Sequence, residues 1–183
     1  KCTYYCWSDP NAPTSMRIIV IVVLSLMAAI FFRDYCLERI YVATPSMEST
    51  LAVNSRWWVD KFSLRWRRPG RGEIVVLPSP ITTEKDLIKR IIAIGGDKVE
   101  IREKIVYLNG QETKEPYVMH TRSGEMLEGD NLGPLQVPAN HVFLLGDNRD
   151  ESGDSRDWKN TTTGERIYFV SNNDLKGRLL GVP

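Results

Sequence analysis

The chain has 183 residues, 42% hydrophobic and 26% charged, with a formal net charge of +1. That length suits one ordinary domain with extras, the near-neutral charge gives no global pull toward nucleic acid, and the absence of low-complexity tracts and repeats excludes fibrous and solenoid classes. Ten prolines and thirteen glycines, mostly between short β-rich runs, favour turns joining strands over a helical bundle.

Residues 1–17 carry no periodicity and read as an unstructured lead-in. A start at Lys1 reads as a fragment or processed form, with Met16 as a possible natural start. Cys2 and Cys6 lack the second pair or histidines that a metal site needs, and Cys36 stands apart from them beyond an apolar run, so neither a metal site nor a disulfide framework is expected. That run, IIVIVVLSLMAAIFF, is free of charge and flanked by Arg17 and Arg33. As a helix it covers roughly 22 Å against a hydrocarbon core of ~30 Å, a gap that snorkelling arginines and slight bilayer thinning close. A cleavable secretory signal is the competing reading, but a cut after Ala29 would place the bulky Met27 three residues back. The expectation is a retained transmembrane anchor over residues 18–33.

Next comes ATPSMESTL, residues 43–51, which sets Ser46 just beyond the anchor. A serine hydroxyl is a weak nucleophile until a base lies within hydrogen-bond reach. The two histidines, His120 and His141, stand at no suggestive spacing from it, so a lysine is the first alternative. Two strand-like runs follow, SRWWVDKF and SLRWRRPGRGEIVVL, the second ending before Pro78. Trp57, Trp58 and Trp66 beside Arg65, Arg67, Arg68 and Arg71 suit either a surface resting on anionic lipid or an ordinary core with a solvated turn. No nucleic-acid-binding motif accompanies them.

The run DLIKRIIAIGGDKVEI has the apolar, β-branched density of a buried strand. Alternation places Leu87, Lys89, Ile91 and Ala93 on one face and Ile88, Arg90, Ile92 and Ile94 on the other. Lys89 is then either a lysine whose pKa falls through desolvation, leaving a neutral base, or an edge-strand lysine with its head in water. Gly95-Gly96-Asp97 reads as a turn, residues 97–106 as the next strand, and residues 107–137 as a polar, glycine-rich insertion with a hairpin-like Asn109-Gly110. HVFLL reads as a strand leading into GDNRDESGDSR, residues 146–156. Asn148, Asp150, Ser152 and Gly153 imitate the start of a calcium loop, but Lys159 stands where its bidentate glutamate belongs, so the loop reads as rigid and polar.

Five stretches, PSMESTL, RPGRGEIVVL, LIKRIIAIGGDKVEI, YLNGQETKEPYV and GDNRDESGDSR, occur in the order in which they occur in type I signal peptidases, and together they make the chain resemble that family from about Tyr41 to Arg156. The resemblance implies a mainly β protein: an N-terminal transmembrane helix, an antiparallel β-sheet catalytic domain over 37–106 and 138–183, and a small β insertion over 107–137. It implies a serine endopeptidase with a Ser–Lys dyad that releases exported preproteins from their signal peptides through an acyl-enzyme. Ser46 is then the nucleophile and Lys89 the general base, the Ser46 N–H and the Thr44 hydroxyl hold the oxyanion, and Ser152 orients Lys89 with Asp154 and Arg156 as a supporting ion pair. Val42 and Ile88 narrow the substrate pocket toward small side chains, and the peptide adds as a strand to an exposed edge. No cofactor and no metal are needed; the partners are preproteins and membrane lipid, with no nucleic acid. The expected location is a bacterial plasma membrane with the catalytic domain outside, or an organellar inner or thylakoid membrane. A related Ser–Lys protease with a narrower client, in pilin or conjugation-system processing, is the alternative. Two positions depart from the family pattern, Ser49 and Gly95, each where proline is usual, and Ser49 is expected to loosen the turn after Ser46.

Overall fold

The structure, a computed structural model, describes residues 13–82 and 85–182. Helix α1 spans Thr14–Cys36, beyond both ends of the expected 18–33, so the last residues of the lead-in are helical; residues 1–12, with Cys2 and Cys6, lie outside the described residues. Pro13 opens the helix at a position that needs no N–H, and Ser25 returns its hydroxyl to the Ile21 carbonyl at 2.7 Å, so the one polar group of the apolar run is satisfied within the helix. Apolar side chains from Ile18 to Ile30 are exposed all round α1. Among the described residues, however, no helix is long and apolar enough to cross a membrane. The transmembrane anchor is therefore not met in the described residues.

Eleven strands follow among the described residues: β1 Leu37–Tyr41, β2 Arg56–Asp60, β3 Ile74–Pro78, β4 Asp86–Ile94, β5 Lys98–Arg102, β6 Ile105–Leu108, β7 Gln111–Glu112, β8 Leu132–Gln136, β9 His141–Leu145, β10 Val170–Ser171 and β11 Gly177–Leu179. They form a seven-stranded sheet in the order β1-β2-β11-β3-β4-β9-β10 and a four-stranded sheet in the order β7-β6-β5-β8. Each pairing is antiparallel, as the mainly β expectation requires. The C-terminal β11 slots between β2 and β3, and Gly177 is what admits it: a Cβ there would lie 2.6 Å from the Asp60 carbonyl oxygen.

Strand β4 is central, paired with β3 on one side and β9 on the other. Its faces feed different cores. Leu87 and Ile91 pack with Val75, Leu77, Val142, Leu144 and Trp158, whereas Ile88 packs with Val42, Met47, Leu51, Ile74 and Val76 behind the Ser46 turn. A bulge between Ile91 and Ala93 interrupts the alternation, so Ala93 joins Ile92 and Phe143 in a third cluster and Ile94 returns to the Leu87 side, the reverse of the strict alternation expected for these two residues.

The expected strand over 97–106 is two strands, β5 and β6, reversing at Glu103 and Lys104, both in the left-handed region at φ 48° and 69°. Asn109 and Gly110, at φ 53° and 84°, make the β6–β7 hairpin that their sequence forecast. Gly95 lies against the backbone of 138–140, where a Cβ would come within 2.9 Å of the Pro138 carbonyl oxygen, so a larger residue there would push the two segments apart. The aromatic–basic stretch divides: Trp57 is half-buried and bonds Ser55, while Trp58, Phe62 and Trp66 are exposed, Trp66 by 79%.

Candidate active site

Pro45–Met47 forms a single 3-10 turn after extended Thr44, with proline's fixed φ setting its first residue. The turn buries Ser46, 8% exposed, and Met47, whose side chain anchors it in the cluster beneath. Ser46 Oγ lies 3.2 Å from Thr44 Oγ1, the Ser46 carbonyl accepts from the Asn148 N–H at 3.2 Å, and no hydrogen bond among the described residues uses the Ser46 N–H. Ser46, Thr44, Val42, Ile88 and Lys89 all line one cleft of about 720 Å³, completed by Tyr41, Lys85, Glu151 and Asp157 among others.

Lys89 comes to this cleft from β4 and is 2% exposed. The edge-strand alternative is excluded by the pairing of β4 on both sides. Lys89 Nζ donates to Ser152 Oγ at 2.8 Å. Burial pulls its pKa down to about 8, against the opposing pull of the Asp154 carboxylate.

Ser152 is held by the loop that leaves β9. Gly146 lets the loop pass close to the Ser46 turn: a Cβ there would sit 2.3 Å from Ser152 Oγ and 2.5 Å from the Ser46 carbonyl oxygen. Asp154 is fully buried, accepts from Arg156 Nε at 2.9 Å and Nη2 at 3.0 Å, and takes the Gly146 N–H at 3.1 Å. Burial alone would raise its pKa, but Arg156, with help from Lys89 and the Gly146 N–H, holds it below the usual carboxylate range. Arg156 also reaches the Arg149 carbonyl at 2.6 Å and Asp130 at 3.5 Å, so the guanidinium holds the loop's two arms together. Asp150, the residue that imitated a calcium ligand, is taken by Lys104 at 3.1 Å, His120 at 3.3 Å and the Arg122 N–H at 2.7 Å; burial notwithstanding, these hold its pKa at about 2. The Asn148 side-chain amide is buried with no hydrogen-bond partner among the described residues.

Several residues around the site escaped the sequence reading. Arg90, next to Lys89 but on the opposite face, is buried and makes a paired contact with Asp147 at 2.8 and 2.7 Å, while also reaching Thr50 at 3.2 Å and the Gly72 carbonyl at 2.8 Å. An arginine inside an apolar strand was itself a signal, since a buried guanidinium demands a buried carboxylate. Asp157 is half-buried at the cleft wall, and burial together with Asp154 raises its pKa. His141 heads β9 and turns its Nδ1 to the Ala139 carbonyl at 2.9 Å; it lies outside the cleft lining, as does His120.

A serine hydroxyl with a free backbone N–H beside it, a buried lysine sharing its cleft and a second hydroxyl fixing that lysine are the components of acyl transfer by a hydroxyl nucleophile. The family model described as "Signal peptidase, peptidase S26" matches residues 15–181. The chain is 36% identical over 155 residues to the probable signal peptidase I-2 of Synechocystis sp., covering 82% of this chain and 68% of that protein. It is 34% identical over 139 residues to signal peptidase I P of Bacillus subtilis subsp. natto, covering 74% of each. A crystal structure of a signal peptidase I from Enterococcus faecalis V583 is 29% identical, with a TM-score of 0.47 over 62% of this chain and 97% of that one.

Proposed function

The chain belongs to the signal peptidase family, peptidase S26, and from that premise we propose that it is a serine-type endopeptidase that removes signal peptides from exported preproteins, using Ser46 and Lys89. The observation that carries this reading is the convergence of Ser46 and a buried, Ser152-bound Lys89 on one cleft.

Neutral Lys89 takes the Ser46 proton as Oγ attacks the scissile carbonyl. The carbonyl oxygen becomes an oxyanion held by the Ser46 N–H and the Thr44 hydroxyl, a kind of donor whose loss typically costs about 3 kcal/mol in the transition state. Protonated Lys89 then gives its proton to the leaving amine as the scissile C–N bond breaks, leaving Ser46 Oγ acylated by the signal peptide. Water, deprotonated by the regenerated lysine, attacks the ester and frees the carboxylate and the enzyme. Ser152 keeps Nζ aimed at the cleft, and Asp154 with Arg156 fixes the loop that carries Ser152. Val42, buried, and Ile88, half-buried, line the cleft and restrict it to small side chains before the cut.

We place the protein at a membrane, as a single-pass chain held by α1 with the catalytic domain on the outer side. The support is physical: a helix with apolar side chains exposed all round is unfavourable in water, and exposed Trp58, Phe62 and Trp66 suit the lipid interface. Residues 37–106 and 138–183 serve as the catalytic part and 107–137 as its insertion.

The test is cleavage of a preprotein bearing a small-x-small site, in lipid or detergent, by the intact protein and by folded Ser46→Ala and Lys89→Ala. Cutting at the expected bond by the intact protein alone supports the reading. Retained activity in Lys89→Ala removes Lys89 as base, and failure to cut general preproteins while cutting a single dedicated client points to the narrow-client protease.

A further inference from the structure

We infer that the segment from Glu115 to Met119 is a strap that holds the Ser46 turn against the Lys89 strand, with Tyr117 as its positioning residue. The inference rests on the proposed use of Ser46 and Lys89, and it gives the small β insertion a part in the chemistry.

Both ends of the segment are fastened to the loop that carries Ser152. At one end Glu115 takes Arg149 Nη2 at 2.7 Å, with 7% and 2% of these side chains exposed. At the other end Met119 donates its N–H to the Asp147 carbonyl at 2.9 Å and accepts from the Arg149 N–H at 3.0 Å. The middle of the segment reaches two other elements. The Tyr117 ring lies over the Arg90 guanidinium, 3.9 Å from carbon to ring centroid, and the Tyr117 carbonyl accepts the Ser49 hydroxyl. The Tyr117 hydroxyl is spent on Glu115 at 2.9 Å, so the ring is oriented from its own segment.

Those two contacts matter because of what Arg90 and Ser49 hold. Arg90 is the immediate neighbour of Lys89, and its guanidinium joins β4 to Asp147 of the loop and to Thr50 of the Ser46 turn; Thr50 Oγ1 closes the triangle with Asp147 at 2.5 Å. Hydrogen bonds occupy the guanidinium's edge, and a ring over its face shields the cluster from water, which would otherwise compete for each of these bonds. Ser49, three residues after Ser46, has φ 89°, in the region that side chains other than glycine seldom adopt. Such a conformation persists when the surroundings over-determine it, and the bond to Tyr117 adds to the Thr50 and Leu51 N–H bonds to the Met47 carbonyl, at 3.2 and 2.8 Å, that close the turn around it. Proline could not take this φ, so Ser49 does not loosen the turn: it ties it to the strap.

The experiment compares the full chain with Tyr117→Leu, Tyr117→Phe and Ser49→Gly, measuring kcat and KM on a preprotein with a small-x-small site and hydrogen exchange across the protein. Ser49→Gly accepts the positive φ without strain and so folds, while losing the tether. The expected result is a fall in kcat of about 10- to 100-fold for Tyr117→Leu and Ser49→Gly, as for small misplacements of reacting groups, with KM within about twofold. Exchange at residues 46–51 rises in both while β3, β4 and β9 keep their protection, and Tyr117→Phe, which keeps the ring, recovers most of the kcat lost in Tyr117→Leu. Wild-type kcat in Ser49→Gly overturns the inference, as does a loss of protection spread through all the strands, which marks general packing. If the unaltered chain cuts no preprotein, the proposed function fails separately, and unchanged exchange at 46–51 in Ser49→Gly overturns the strap by itself.

Discussion

Lys89 Nζ and Ser152 Oγ, 63 residues apart in sequence, meet at 2.8 Å and join the central strand β4 to the loop after β9. The bond matters because neither element places the lysine alone: β4 delivers it, buried, to the cleft, and the loop supplies its hydrogen-bond partner there. Ser152 has an oxygen lone pair for an ammonium donor and a proton for a neutral amine acceptor, so the contact survives the change of protonation state that a general base requires.

Cleavage therefore follows the titration of Lys89. Its pKa of about 8 means that the neutral amine is the minor form at neutral pH and the major form above it. The rate should climb about tenfold per pH unit on the acid side and level off above the lysine's pKa. A profile flat from pH 6 to 9, measured as kcat/KM on a peptide substrate that does not titrate there, would contradict Lys89 as base.

The same shift makes a stability prediction with a definite sign. The folded value lies below the ordinary 10.5, so at any pH between them the unfolded chain binds the extra proton and stability rises with pH; below about 8 both states are protonated and the full burial cost remains. That cost is on the order of 3 kcal/mol, reduced in practice by the Ser152 bond. Lys89→Met should therefore be inactive yet no less stable than the parent at pH 7, which thermal unfolding reads directly.

Ser152→Ala removes the partner but not the lysine. Lys89 then samples rotamers that point away from Ser46, so kcat should fall by about 10- to 100-fold with little change in KM. A parental kcat in this variant would mean that packing alone aims the amine.

Asp154 and Arg156 form the loop's buried ion pair, and breaking one side leaves the other charge stranded. Asp154→Asn should cost about 3–5 kcal/mol, measured by denaturant unfolding, as for removal of one partner from a buried pair. Because the folded pKa values of Asp154 and Asp150 are held below the ordinary range, both contribute stability above the unfolded carboxylate pKa of about 4 and lose it as the pH falls through their folded values, about 2 for Asp150. Acid unfolding should begin below about pH 4, and Asp150→Asn should flatten it.

Much of this arrangement is legible in the chain itself. Turn chemistry marked the Asn109-Gly110 hairpin, and alternation grouped Lys89 with Leu87 and Ile91, but only the pairing of β4 on both sides decided that the lysine is buried. What escaped was whatever depends on contacts between distant segments or on a single irregular residue. The bulge at Ile91–Ala93 moved Ala93 and Ile94 to the opposite faces because one extra residue inverts a period of two. The Arg90–Asp147 pair spans 57 positions, and no local pattern ties its members. Ser49 looked like a weakened turn because its sequence neighbourhood does not include Tyr117, 68 residues away.

Gly146 is where sequence and site meet most closely, and it gives the sharpest structural test. A glycine after a buried strand reads as an ordinary turn former, yet this position is fixed by space: a methyl group would lie 2.3 Å from Ser152 Oγ and 2.5 Å from the Ser46 carbonyl oxygen, well inside van der Waals contact. Ser152 would have to move away from Lys89, or the Ser46 turn away from the loop, and either displacement separates the hydroxyl from its base. Gly146→Ala should therefore abolish cleavage by more than about 100-fold and lower stability by about 1–3 kcal/mol through overpacking. Gly153→Ala, in the same loop but with nothing within 4 Å of the added carbon, is the matched control and should leave the fold intact by thermal unfolding. Equal effects of the two substitutions would mean that loop flexibility, not the close approach to Ser46 and Ser152, is what glycine supplies here.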